Sequence, residues 1–255
     1  MSDKVSPGGH RPTKAERKEQ ARIEREQLQQ KLASRKRTRA LMIGVGAVAL
    51  AAIVVAVVLT RPEEVDVPTA RTLLAEAPAG AEQADCGQAR NVGEFDPAAQ
   101  DRTHVGGGGV AQMPPLSAYP SAPPASGPHN AVPLSAGVYD TPPPLDQVIH
   151  SLEHGGVAIW HSPDATGPEL AKMTSFYGEE ANGEKMIVAP YDYPDEGAAG
   201  QLPPGVEMSL VAWHYVQECE SANLAASYGF VNDFRATQAN AENYKGEAPE
   251  PLSSM

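Results

Sequence analysis

His150 and His154 lie four residues apart, with Glu153 between them, in the stretch His150-Ser151-Leu152-Glu153-His154-Gly155-Gly156. On a helix this spacing puts both imidazoles on one face. Imidazole nitrogens are ligands for borderline metals, and a neighbouring carboxylate acts as a general base or fixes a ring tautomer. Inverted zinc-peptidase motifs use the same spacing. A peptidase also needs a third ligand, usually a carboxylate from another buried helix. Glu169, Glu179 and Glu180 are available, but their helix reads as exposed. A metal site without peptidase chemistry is the better reading. His129 closes the rigid turn Ser126-Gly127-Pro128-His129, and His104 shortly precedes the glycine run Gly106 to Gly109. His104, His129, His150 and His154 are therefore the candidate ligands for zinc, copper or another divalent transition metal. Glu153 is expected behind them, holding a histidine tautomer. The competing reading is that these histidines only cap and hydrogen-bond buried backbone. His161 and His214 read as strand residues and are weaker candidates.

The elements that must position these groups follow from punctuation and periodicity. Prolines precede Leu145 and a glycine pair follows His154, so 145–154 is a short helix. Val157 to His161 reads as a buried strand, 168–177 as a helix, 185–191 and 207–216 as strands, and 222–236 as a final helix. This order predicts an α/β (α+β) domain, thioredoxin-like in element order, behind an irregular proline-rich half at 101–144. Thiol–disulfide exchange is not expected, because Cys86 and Cys219 form no Cys-x-x-Cys centre. No Gly-x-Ser-x-Gly elbow marks a serine hydrolase, and the glycine run lacks the Lys-Ser/Thr of a phosphate loop.

The net charge of −12 conceals a split. Residues 1–40 hold twelve basic and five acidic side chains, a balance of +7, and the remainder carries −19. Between them, Leu41 to Leu59 contains no charged or strongly polar side chain. At about 1.5 Å per residue it is roughly 28 Å long, the thickness of a bilayer core. Arg35, Lys36, Arg37 and Arg39 precede it, while Glu63, Glu64 and Asp66 follow. The expected topology is a single membrane helix in the plasma membrane, with the N-terminus cytoplasmic and the rest outside. The basic side chains would lie against anionic lipid heads. Nothing aromatic or groove-shaped supports nucleic-acid binding. The expected divisions are 1–40 a basic tail with a charged helix, 41–59 the membrane helix, 60–85 an acidic Ala/Pro linker, 86–238 the outer domain and 239–255 a polar tail. Outside the cell an even cysteine pair implies a Cys86–Cys219 disulfide.

Pro123-Pro124-Ala125-Ser126-Gly127-Pro128-His129, Gly137-Val138-Tyr139, His150-Ser151-Leu152-Glu153-His154-Gly155-Gly156-Val157, Ala189-Pro190, Ala212-Trp213 and Ala248-Pro249-Glu250 occur in that order. Together they resemble the bacterial membrane-anchored family catalogued as domain of unknown function 3105. His104-Val105 also fits, whereas Ala125 and His214 stand where the pattern has Thr and Gly. The resemblance implies the same layout and marks His129, His150, Glu153 and His154 as a family feature. It implies no activity. The expectation is a single-pass membrane protein whose outer domain binds a transition metal through histidines. The alternative is a non-catalytic cell-envelope interaction module with structural histidines, and a metal-dependent hydrolase ranks third.

Overall fold

Strand alternation explains why the chain builds around one sheet. In Val157–His161, Val157 and Ile159 face one side, while Ala158 and Trp160 face the other, and all four are fully buried. A strand buried on both sides needs a cover on each face. A computed structural model describes residues 68–106 and 110–255, together with Glu19, Arg22, Arg25 and Met42. The chain divides into two units, Met1–Glu64 and Val65–Met255, and the second carries every element below. The expected charged helix and the apolar span 41–59 lie outside the described residues, apart from the four named. Among the described residues no helix is long and apolar enough to cross a membrane.

In chain order the elements are α1 (Ala70–Gln83), β1 (Arg90–Asn91), β2 (Gly137–Val138), α2 (Leu145–Glu153), β3 (Val157–His161), α3 (Pro168–Gly178), α4 (Glu180–Gly183), β4 (Met186–Pro190), β5 (Met208–Ala212), β6 (Tyr215–Cys219) and α5 (Leu224–Phe234). The six strands run β1-β6-β5-β3-β4-β2 across one sheet. β3 and β4 are parallel and joined through α3, β2 extends that parallel edge, and β5, β6 and β1 add antiparallel strands on the other side. Leu73 of α1, Met173 and Phe176 of α3, and Phe230, Val231 and Phe234 of α5 cover the Val157/Ile159 face. Val148, Ile149 and Leu152 of α2 cover the Ala158/Trp160 face with Phe95, Leu116, Tyr119 and Ala125 from the irregular half.

Three expectations are corrected. Residues 70–83, read as part of a linker, form a helix packed on α5. Thr69 caps it, its side chain accepting from the Thr72 N–H. Its buried stripe is Leu73, Ala77 and Gly80, too small to register as an apolar face in sequence. Small side chains are what close packing requires here, since a Cβ on Gly80 would stand 2.6 Å from Asn223 Oδ1. The single strand expected at 207–216 is a hairpin, β5 and β6, turning at Trp213-His214, where His214 adopts φ 63°. A positive φ at a non-glycine residue carries no turn signature. The C-terminal residues, expected to form only a polar tail, fold back onto the end of α2: the Glu250 N–H donates to Glu153 O at 3.0 Å. Lys185 Nζ donates to both His154 O and Pro251 O.

Candidate metal centre

α2 begins after Pro144 with Asp146 in its first turn, where a carboxylate meets the positive end of the helix dipole. It ends at Gly155, whose φ of 78° permits the sharp exit, and a Cβ there would stand 2.4 Å from that of Ala236. His150, Glu153 and His154 are thereby fixed on the last turn, and all three are buried. His129 comes from the proline-rich half and is 0% exposed. Its backbone N–H donates to Thr103 O at 3.0 Å and its carbonyl accepts from the Val105 N–H at 2.7 Å. This parallel bridge sets His104 beside His129.

The ring contacts fix the tautomers. Nδ1 of His129 faces Gly127 O at 2.7 Å, Nδ1 of His150 faces Asn130 O at 2.6 Å, and Nδ1 of His154 faces Ser254 O at 2.5 Å. A carbonyl oxygen can only accept, so each Nδ1 carries the proton. The Nε2 atoms of all three rings therefore turn inward. Those of His150 and His154 are 3.0 Å apart, and that of His129 is 3.1 Å from Glu153 Oε2. Lone pair against lone pair is repulsive unless a proton or a cation lies between them. Ligand atoms from His104, His129, His150 and Glu153 all fall within 4.8 Å of one another.

Burial alone would raise the Glu153 pKa, but hydrogen bonds and charges from His129 and Arg102 outweigh it and hold the carboxyl at about 2. Arg102 Nε lies 3.1 Å from Glu153 Oε1. Burial lowers the His150 pKa, the Asn130 carbonyl opposes this, and the charges of His129, His154 and His104 add to the lowering. A neutral imidazole and an ionised carboxylate are the forms that ligate metals.

Sequence reasoning placed Glu153 behind the ligands, whereas its Oε2 is among the converging donors. His154 lies at the edge, facing His150 and, at 3.4 Å, Glu250 Oε2. Arg102 and Glu250 were missed as site residues. A buried carboxylate demands a cationic partner, which was the available signal for Arg102. Glu250 stands in the Ala248-Pro249-Glu250 motif, but nothing there connects it to the histidines.

His161 and His214 lie outside the cluster. His161 Nδ1 faces Ser162 O. His214 sits between Asp101 Oδ2 at 2.8 Å and Glu247 Oε2 at 3.3 Å, two acceptors, so both ring nitrogens carry protons. Burial would lower the His214 pKa, but Asp101 and then Glu247 outweigh it and raise it. Burial would likewise raise the Asp101 pKa, yet hydrogen bonds from His214, Phe95 and Ser126 lower it below 3.8. A raised histidine stabilises the fold below its unfolded value of 6.5, and the contribution is lost as pH climbs through the folded pKa. A depressed aspartate stabilises above its unfolded value of 3.8, and that is lost as pH falls. The difference in unfolding free energy between wild type and His214→Gln should therefore be greatest between about pH 4 and pH 6.5, at about 2 kcal/mol, and shrink on both sides. Urea titrations across pH check this, and a difference that does not vary with pH rules it out.

A family model described as "Protein of unknown function (DUF3105)" matches residues 112–249, a span holding His129, His150, Glu153 and His154 but not Arg102 or His104. No curated protein and no solved structure matches the chain.

Proposed function

The chain belongs to the DUF3105 family, and from the geometry of its histidine cluster we propose that residues 65–255 form a module that binds one divalent transition ion, such as zinc or copper. One observation carries this: three Nδ1–H groups are committed to backbone carbonyls, so that the Nε2 atoms of His150 and His154 face each other and that of His129 faces a carboxylate, contacts that only a proton or a cation can bridge. Nitrogen and oxygen donors of this kind suit zinc or copper(II). Full-length protein made without a histidine tag should carry about one equivalent of such a metal, and His150→Ala/His154→Ala should lose it. Metal analysis that finds none in either protein sinks the reading.

A second reading is favoured by the same carbonyl contacts. Gly127, Asn130 and Ser254 are loop residues, so the histidines could serve only to staple loops in a non-catalytic envelope interaction module. It predicts that alanine at His104, His129, His150 and His154 lowers stability without changing metal content. Metal-dependent hydrolysis has less support, because Glu153, the would-be general base, is held by Arg102 and lies among the ligands. The β3–α3–β4 crossover followed by a hairpin and α5 supports a thioredoxin-like outline.

Leu41 to Leu59 is proposed to cross the plasma membrane, with 1–40 cytoplasmic and Arg35, Lys36, Arg37 and Arg39 against anionic lipid heads. The Cys86–Cys219 disulfide supports an outer location for the folded unit. Protease added to intact cells should cleave sites after residue 61 and spare those before 40. The reverse pattern would refute this orientation.

A further inference from the structure

We infer that His104 is the exchangeable ligand of the metal centre and that the solvent edge beside it and Arg102 takes a small monoanion. The inference rests on the metal-binding reading above and concerns which side of that centre is open.

The donors are not held alike. His129 and His150 have Nδ1 committed to carbonyls and are buried, and Glu153 is held by Arg102 and His129. The His104 side chain is 45% exposed. Its ring stacks on that of His150 at 4.9 Å, and its Nε2 lies 3.9 Å from Glu153 Oε2, beyond hydrogen-bond length. Geometry makes the same distinction. Two nitrogens each about 2.1 Å from one zinc ion cannot be more than about 4.2 Å apart. A cluster whose donors lie within 4.8 Å of one another must draw in toward the roughly 3.4 Å separations of a tetrahedral site to bind. The loosely held, half-exposed imidazole is the one that can move, and it can move away again.

Arg102 borders the same edge. Its Nε–H is used on Glu153, but its Nη2 is 4.0 Å from Glu250 Oε1, too long for a hydrogen bond. The guanidinium thus keeps terminal N–H groups for an anion. The charges favour one. A dication and Arg102 against the carboxylates of Glu153 and Glu250, with neutral imidazoles, leave a net charge of +1. Water or a monoanion would complete the coordination on that side, as in metal sites that keep one position open.

The test uses full-length protein loaded with cobalt(II), whose visible spectrum reports coordination, and azide as the probe. Azide should shift the spectrum saturably, and Arg102→Ala, assayed at saturating cobalt, should weaken azide about tenfold. In chelator competition His104→Ala should bind cobalt about 10- to 100-fold more weakly, whereas His129→Ala should lose at least about 1000-fold. His104→Gln and circular dichroism of each variant separate ligand loss from misfolding. A spectrum indifferent to azide, or His104→Ala losing cobalt as completely as His129→Ala, overturns the inference while leaving the metal centre standing. Wild-type protein that binds no cobalt overturns the metal reading and the inference with it.

Discussion

Replacing His129 with alanine should abolish high-affinity metal binding and destabilise the fold even without metal. His129 is 0% exposed, its Nδ1–H is committed to Gly127 O, and its Nε2 faces Glu153 Oε2. Alanine leaves a cavity against Trp213, whose ring meets that of His129 edge-on at 6.0 Å, and strips one partner from a buried carboxylate. Breaking a buried charged pair typically destabilises by about 3–5 kcal/mol. Glu153 keeps Arg102, so we expect about 2–4 kcal/mol in metal-free protein. Metal adds a second difference. At a free concentration of 1,000 times the dissociation constant, an ion that binds only the folded state stabilises it by about 4 kcal/mol. Urea titrations with and without zinc should show that increment in wild type and none in His129→Ala. An equal zinc response in both proteins would remove His129 from the centre.

Loss of the Cys86–Cys219 bridge should be comparably large. The bridge joins positions separated by 133 residues, tying the end of α1 to β6. A chain-entropy model assigns a loop of this size roughly 5 kcal/mol, an upper value because it ignores strain in the folded state. A domain of this size loses about 2–4 °C per kcal/mol, so Cys86→Ser/Cys219→Ser should melt on the order of 10 °C lower. Cys219 packs with the Val157/Ile159 face, whereas α2 and its histidines sit on the opposite one. Below its lowered melting temperature the variant should therefore keep its metal affinity. If affinity falls in step with stability, the two faces are coupled.

The core of the fold was legible because its signals are local. Val157–His161 reads directly as a strand from its apolar run, and α2 is bounded by Pro144 and Gly155 as punctuation predicts. The cysteine pairing followed from there being only two. The hairpin turn at Trp213-His214 was illegible because it is made by ordinary residues held at φ 63° by Asp101, Glu247 and the Ala125 carbonyl, which accepts the His214 N–H. Helix α1 was illegible because its contact with α5 is made by Ala77 and Gly80, whose value is their smallness.

The candidate site divides along the same line. Residue types and the i, i+4 spacing by themselves determined that His150, Glu153 and His154 share one helix end, since helix geometry is set within a single turn. They also marked His129 and His104 as imidazoles on loops that could reach it. Only the tertiary structure decided that these rings meet. A backbone bridge between 103–105 and 129 pins the two loops together, and the carbonyls of Gly127, Asn130 and Ser254 turn the Nδ1 atoms of His129, His150 and His154 outward. It also decided that Glu153 points into the cluster and that Glu250 and Ser254 close over His154. Such convergence depends on where distant segments pack. That is governed by burial over the whole sheet and not by any spacing along the chain.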